Sequence, residues 1–223
     1  MFEAKGQNQK YRLNVGCGMT PTKGCLNLDN SFSIRLSAFP RLSNILHRAK
    51  FINQSQMNYI RFCREHNIEW ADATRRIPVP DNSAEVLYSS HMIEHLDRQE
   101  VTLFLAEARR VLVSGGIIRL AVPDLQKHIN SYIGHGDADL FIESMSVCVP
   151  RPRRVLERLR VLLLGARHHQ WMYDSKSLCK LLGNSGFIEA KICPAGETCI
   201  KNPVSFDLYE RMDESVYVEA IKA

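Results

Sequence analysis

Regular patterning begins at Tyr11 to Val15, an apolar-alternating run stopped by Gly16-Cys17-Gly18, which predicts a buried strand ending in a glycine turn. Cys25 to Leu28 predicts a second strand closing on Asp29. Residues 31–64 show no strand pattern; Leu36, Phe39, Leu42, Ile45, Leu46 and Ala49 recur at helical spacing, with Pro40 suited to a first turn. Glu69 to Ala73 predicts a third strand, the PVPDNS stretch at 78–83 a turn, and Ala84 to Ser90 a fourth strand. A helix follows from about Asp97 to Val113, its stripe of Val101, Phe104, Leu105, Ala108, Val111 and Leu112 ended by Gly115-Gly116. Ile117 to Val122 is nearly continuous in apolar residues, as a strand buried on both faces should be, and Pro123-Asp124 closes it. Residues 125–172 read as mostly helical. Ser175 is placed to cap a helix through Leu178, Leu181 and Leu182 that stops at Gly186, before a sixth strand at Ile188 to Cys193 and a seventh at Val216 to Ile221. Strands alternating with helices imply an α/β protein with a mostly parallel sheet covered on both sides.

The 223 residues suit a single domain, 1–223, with helical inserts at about 31–64 and 125–172. Hydrophobic residues at 45% and charged residues at 24% are the balance of a globular protein. No apolar run approaches the roughly 20 residues of a spanning helix, and the start lacks the succession of a secretory signal, so a cytoplasmic protein is expected. Seven scattered cysteines without a C-x-x-C pair read as reduced thiols. Charge changes the picture more. The net +5 divides into +6 over 31–64, +5 over 151–169 and a mildly acidic body, so two cationic inserts face any anionic surface or substrate.

Ligands of such sheets sit outside the carboxyl ends of the strands. There the chain places Gly16-Cys17-Gly18 after the first strand, Asp29 after the second, Asp72 and Ala73 after the third, and Ser90 and His91 after the fourth. Missing side chains let a ligand lie on the backbone, and a carboxylate can accept both hydroxyls of a ribose or an exocyclic amine. Pro21 stands where a dinucleotide fingerprint needs a third glycine, which argues against a nicotinamide or flavin enzyme. Each of these residues alone also suits a plain turn or cap; their register after a glycine turn is what suggests a site.

These residues resemble the class I S-adenosylmethionine (SAM) dependent methyltransferases. The resemblance is carried by LNVGCG at 13–18, LNLD at 26–29, DATRRIPVPDNSAEVLYSSHMIEHL at 72–96, EARRVLVSGGIIRLAVPDL at 107–125 and HQWMYDSKSLCKLLGNSGF at 169–187, over half the chain and in the family's order. It implies a Rossmann-like seven-stranded sheet, last strand antiparallel, with helical cap inserts and S-adenosyl-L-methionine across the first strand ends. Gly16, Cys17 and Gly18 would meet the methionine part, Asp29 the ribose, Asp72 and Ala73 the adenine, and Ser90 and His91 the sulfonium side. Asn14 replaces the family's usual acidic residue and can still hydrogen-bond to the amino group, without charge. Ten residues between Gly18 and Asp29 are too few for a crossover helix plus a strand. The shortened GCGMTPTKGCLNLD is similar to small methyltransferases encoded among bacterial cell-surface polysaccharide genes, which implies O-methylation of a sugar or its precursor.

An oxygen acceptor must lose its proton, and histidine is the usual base. His91, beyond the fourth strand, and His169, before Trp171 and Tyr173, are the candidate catalytic residues, with Glu94 and His95 close by in sequence. His91, Glu94 and His95 also have metal-ligand spacing, but the resemblance explains them without metal, so none is expected. The inserts suit an anionic or phosphate-linked acceptor, a membrane surface met by a helix at about 153–164, or a homodimer interface. Basic residues without interleaved aromatics argue against nucleic acid. A small-molecule or RNA methyltransferase, or a non-catalytic partner with this fold, are the alternative functions.

Overall fold

The structure, a computed structural model, describes residues 10–148, 168–203 and 206–223. Seven strands form one sheet: β1 (Tyr11–Val15), β2 (Leu26–Asp29), β3 (Glu69–Trp70), β4 (Ala84–Ser90), β5 (Leu112–Pro123), β6 (Phe187–Cys193) and β7 (Ser215–Lys222). Their order is β3-β2-β1-β4-β5-β7-β6, parallel except for β7, which runs antiparallel to both neighbours. This is the expected Rossmann-like arrangement. The central strands are the most apolar, and Leu13, Leu28, Leu87, Ile118, Leu120 and Val218 are wholly buried with Val101, Phe104, Leu105 and Ala108 of the helix that follows β4.

Among the described residues, that helix and six others pack with the sheet: α1 (Phe32–Ser37), α2 (Pro40–Arg48), α3 (Gln54–Glu65), α4 (Arg98–Val111), α5 (Leu125–His135), α6 (Ala138–Ser144) and α7 (Ser175–Asn184). Asp97 starts α4 through a capping box with Glu100. The first insert comprises α1–α3 between β2 and β3, and Pro40 occupies the first turn of α2 as anticipated. The β1–β2 crossover carries no helix. Asn14 holds it in shape, its side-chain amide donating to Thr20 O (2.9 Å), Thr22 Oγ1 (2.9 Å) and Asn27 Oδ1 (3.2 Å).

Several expectations are corrected. Gly115-Gly116 does not end α4, which stops at Val111; β5 begins at once at Leu112. The glycines lie in an irregularity of the β4–β5 ladder, where pairing passes from Ala84↔Leu112 to Val86↔Ile117. Gly115 takes a φ of +76° there, and a side chain on Gly116 would meet the carbonyls of Val113 and Ala84. The cap of α7 is Asp174, with Ser177 completing the box, and Ser175 is the first helical residue. The third strand is two residues long, because Asp72 folds the chain back, accepting from Thr74 N and Thr74 Oγ1. The apolar stripe of α2 faces outward: Phe39, Leu42 and Ile45 are exposed and Ser43 is the buried residue. Residues 151–167, with the arginine cluster and the leucine face at 153–164, lie outside the described residues. Among those described, no helix is long and apolar enough to cross a membrane.

Candidate active site

The carboxyl ends of β3, β2, β1 and β4 lie side by side, so the residues singled out from the sequence gather along one edge of the sheet. Gly16 N and Cys17 N donate to Leu28 O, at 2.7 and 3.2 Å, which turns the chain sharply after β1. Both glycines take the left-handed conformation, with φ of +74° at Gly16 and +50° at Gly18. They do so for different reasons. A side chain on Gly16 would run into Met92, whereas one on Gly18 would point into open space.

Asp29 is tied to this loop. Its carboxylate accepts from Gly18 N at 3.1 Å and from Ser31 N at 2.8 Å, each bond occupying one lone pair of one oxygen. Asp72 comes next along the edge, since Ala71 N continues the pairing to Asp29 O. Ala73 is buried behind it. The Cys17 side chain turns away, into a cluster with Ile34, Cys63 and Ile68, so only its backbone faces the edge. Burial, with Asp29 and Cys63 adding to it, pushes the Cys17 thiol far up, and it stays protonated. Asn14 is buried with its amide nitrogen committed to the loop, so it braces the turn from beneath. Sequence reasoning missed Tyr59 of α3, whose hydroxyl donates to Gly18 O at 3.4 Å. Only the turn in helical phase over α3 hints at it.

Beyond β4 the structure assembles a second group. Ser90 is buried, and its Oγ has no hydrogen-bond partner among the described residues. His91, at φ +48°, donates its backbone N–H to Ala121 O, and its Nε2 lies 2.8 Å from Ser215 Oγ at the start of β7. Its Nδ1 is 3.3 Å from Glu94 Oε1 without hydrogen-bond alignment. The chain then makes a short 3-10 turn, Ile93–His95, not a regular α-helix, and this buries Glu94 completely. His95 Nδ1 lies 3.0 Å from His168 O, and the ring stands edge-on to His169 with centroids 5.0 Å apart. His169 is therefore part of the same cluster as His91, Glu94 and His95. Burial pushes the His169 pKa below the ordinary 6.5, with Glu94 pulling it up and His95 adding to the lowering. The segment that carries it is clamped in place, since Gln170 N and Trp171 N donate to Glu94 O at 2.7 and 3.2 Å. Further along, Leu125 N donates to Tyr173 O, and the guanidinium of Arg98 sits 4.9 Å from the Trp171 ring.

Residues 13–120 match the sequence model of a methyltransferase domain. Over that stretch the chain carries a SAM-dependent methyltransferase domain. S-adenosylmethionine is its cofactor. No curated protein matches the chain. Solved structures similar to it include a possible histamine N-methyltransferase from Thermotoga maritima, at 14% identity and a TM-score of 0.50 over 96% of this chain and 83% of that one. A SAM-dependent methyltransferase from Archaeoglobus fulgidus is 16% identical with a TM-score of 0.46, covering 96% of this chain and 87% of that one. One from Methanosarcina mazei is 15% identical with a TM-score of 0.48, covering 97% and 93%. At 14% identity the likeness to the Thermotoga protein is one of fold. The edge described above fits the cofactor chemically: an open backbone cradle at Gly18, a carboxylate with lone pairs to spare at Asp29, and a second carboxylate on the next strand end.

Proposed function

We propose that the enzyme O-methylates a sugar hydroxyl of a cell-surface polysaccharide or its precursor. When bound, the cofactor supplies an activated methyl group on its sulfonium. The backbone of Gly16, Cys17 and Gly18 holds the methionine part, Asp29 the ribose, Asp72 and Ala73 the adenine, and Ser90 and His91 border the sulfonium. The observation that carries the oxygen acceptor is the histidine and carboxylate cluster beyond β4. A hydroxyl, whose pKa lies far above neutral, needs its proton drawn away as it attacks, and imidazoles and a carboxylate are the groups that do so. His91 has both ring nitrogens beside protein groups, Nε2 at Ser215 and Nδ1 at Glu94; His169, partly exposed, meets the acceptor. The shortened β1–β2 crossover and the cationic first insert support a sugar, anionic or phosphate-linked, as the acceptor.

Calorimetric titration with SAM and S-adenosylhomocysteine tests the first half. Losing charge-assisted hydrogen bonds, Asp29→Ala should bind at least about 10-fold more weakly. Transfer of labelled methyl from SAM to nucleotide-linked and lipid-linked sugars tests the second. His169→Ala should lose turnover by about 100-fold, as for a group that handles the acceptor's proton, while SAM affinity stays as it was, and His91→Ala should lose turnover as well. Full turnover in both variants, or methylation of amines only, would overturn the oxygen-acceptor reading.

A second reading concerns where the enzyme works. Phe39, Leu42 and Ile45 are 60%, 45% and 62% exposed along one side of α2, with Arg41, Arg48 and Lys50 around them and Phe51 exposed at 65% just beyond. An amphipathic element of this kind suits peripheral contact with an anionic membrane surface, where a lipid-linked acceptor would be met.

A further inference from the structure

Glu94 is the least expected group in the molecule. It is wholly buried, and neither carboxylate oxygen receives a hydrogen bond from the described residues. Burying a carboxylate without donors is costly, and native structures compensate it with a cation or a metal ion. Around Glu94 stand imidazoles. A ligand atom from each of Glu94, His95 and His169 lies within 4.8 Å of the other two. The tautomer of His95 follows from its partner: the His168 carbonyl only accepts, so Nδ1 carries the hydrogen and Nε2 carries a lone pair. A ring that donates its far N–H to a backbone carbonyl is the usual outer support of a metal-ligating histidine. His169 adds a buried Nδ1 with no hydrogen-bond partner among the described residues.

We propose that Glu94, His95 and His169 bind a divalent first-row metal ion, zinc being the best match. Two imidazoles and one carboxylate are a nitrogen-rich donor set of the kind that suits zinc and leaves a coordination position open. Around a tetrahedral ion with bonds of about 2.0–2.2 Å, two ligand atoms stand about 3.3–3.6 Å apart. The three ligand atoms, all within 4.8 Å of one another, come to that separation by side-chain rotation with the backbone unchanged. The backbone is already fixed for it, because Gln170 and Trp171 bond to Glu94 O and the Gln170 side chain donates to His95 O at 2.8 Å. The sequence spacing had suggested His91 as third ligand; the fold replaces it with His169, from 74 residues further on than His95.

The use of this ion rests on the O-methyltransferase reading above. The cluster adjoins the cofactor loop, since Met92, next to His91, is the residue that abuts Gly16. Held by Glu94, His95 and His169, such an ion would supply Lewis acidity at its open position, where an acceptor oxygen would lose its hydroxyl proton to solvent more readily. The oxygen then bonds to the methyl carbon as the sulfonium–methyl bond breaks to a thioether. The role given to His169 is thereby exercised through the ion.

The test starts from untagged protein stripped with a chelator and titrated with Zn2+ against a chelating indicator. One ion per chain should bind, with a rise in melting temperature. Glu94→Gln and His169→Ala should each weaken binding by at least about 100-fold, more than outer-shell changes do. His169 is partly exposed, so its variant should fold even if that of Glu94 does not. Because the chain has seven cysteines, Co2+ provides the control: a site of imidazoles and carboxylate shows no thiolate charge-transfer band. No stoichiometric binding, a thiolate band, or unchanged affinity in the His169 variant would overturn the site. SAM binding measured on the same samples separates the two proposals, since it depends on Asp29 and not on the ion.

Discussion

The two glycines of the first turn are constrained by different physics, and single substitutions can tell them apart. Gly16→Ala puts a methyl group into Met92 at a φ of +74°, so it combines a steric clash with left-handed strain. It should lower stability by about 2–3 kcal/mol, and Met92→Ala in the same chain should recover the part due to the clash. Gly18→Ala meets no atom within 4 Å and carries only the strain of φ +50°, about 1 kcal/mol. Its methyl group points where the methionine part is proposed to lie. SAM affinity should therefore fall far more than stability does, as seen by comparing melting curves with calorimetry. Equal affinity in Gly18→Ala and the parent would remove that loop from the cofactor site.

At the scale of elements, the link between α4 and the turn before β4 is electrostatic. Arg110 of α4 bonds twice to Glu107, at 2.8 and 2.7 Å, reaches Ile77 O and Val79 O, and pairs with Asp81. Burial pushes the Glu107 pKa up, but bonds from Arg110 and from Ile77 N outweigh it and hold the carboxyl below its ordinary 4.5. A depressed carboxyl stabilises the fold above its unfolded pKa, and that contribution is lost as pH falls through the folded value. Glu107→Gln should therefore be less stable than the parent at neutral pH, with the gap closing below pH 4.5, in urea titrations across that range. A gap that stays constant with pH would show that the residue acts by shape alone. This staple had no signature in the sequence, whereas the helix it joins did: the stripe from Val101 to Val111 is buried as its spacing implies. Strands β1 and β4 were legible to the residue because both alternate or run apolar between clear turns. The glycines at 115 and 116 misled because a helix stop and a ladder irregularity use the same residue. The site was legible in the same proportion. Strand ends announce Gly16, Asp29 and His91 locally, but the neighbours that give His91 and Glu94 their environment, Ser215 and His169, are brought in by the β5–β7 pairing and by the returning insert.

The whole molecule places its cofactor edge and its exposed α2 in one insert-bearing body, and this has a consequence for location. The stripe of Phe39, Leu42 and Ile45 is apolar and unburied, so it contributes nothing to the core and would be expected to be polar if it faced only water. Arg41, Arg48 and Lys50, with no acid between residues 31 and 64 to offset them, supply the attraction to anionic headgroups. At about 1 kcal/mol for each basic residue near such a surface, three account for a preference on the order of 100-fold for anionic over neutral vesicles. The parent protein should sediment with phosphatidylserine vesicles at low salt and be released as ionic strength rises, because the Debye length shortens to about 8 Å near 0.15 M. Ile45→Glu should abolish sedimentation while leaving SAM affinity and the melting temperature nearly unchanged, since Ile45 is 62% exposed. Arg48→Glu should weaken it in a salt-dependent way, which separates the charge contribution from the apolar one. If neither variant alters partition between vesicles and solution, the outward stripe of α2 serves some other contact, and the acceptor reaches the enzyme without the membrane's help.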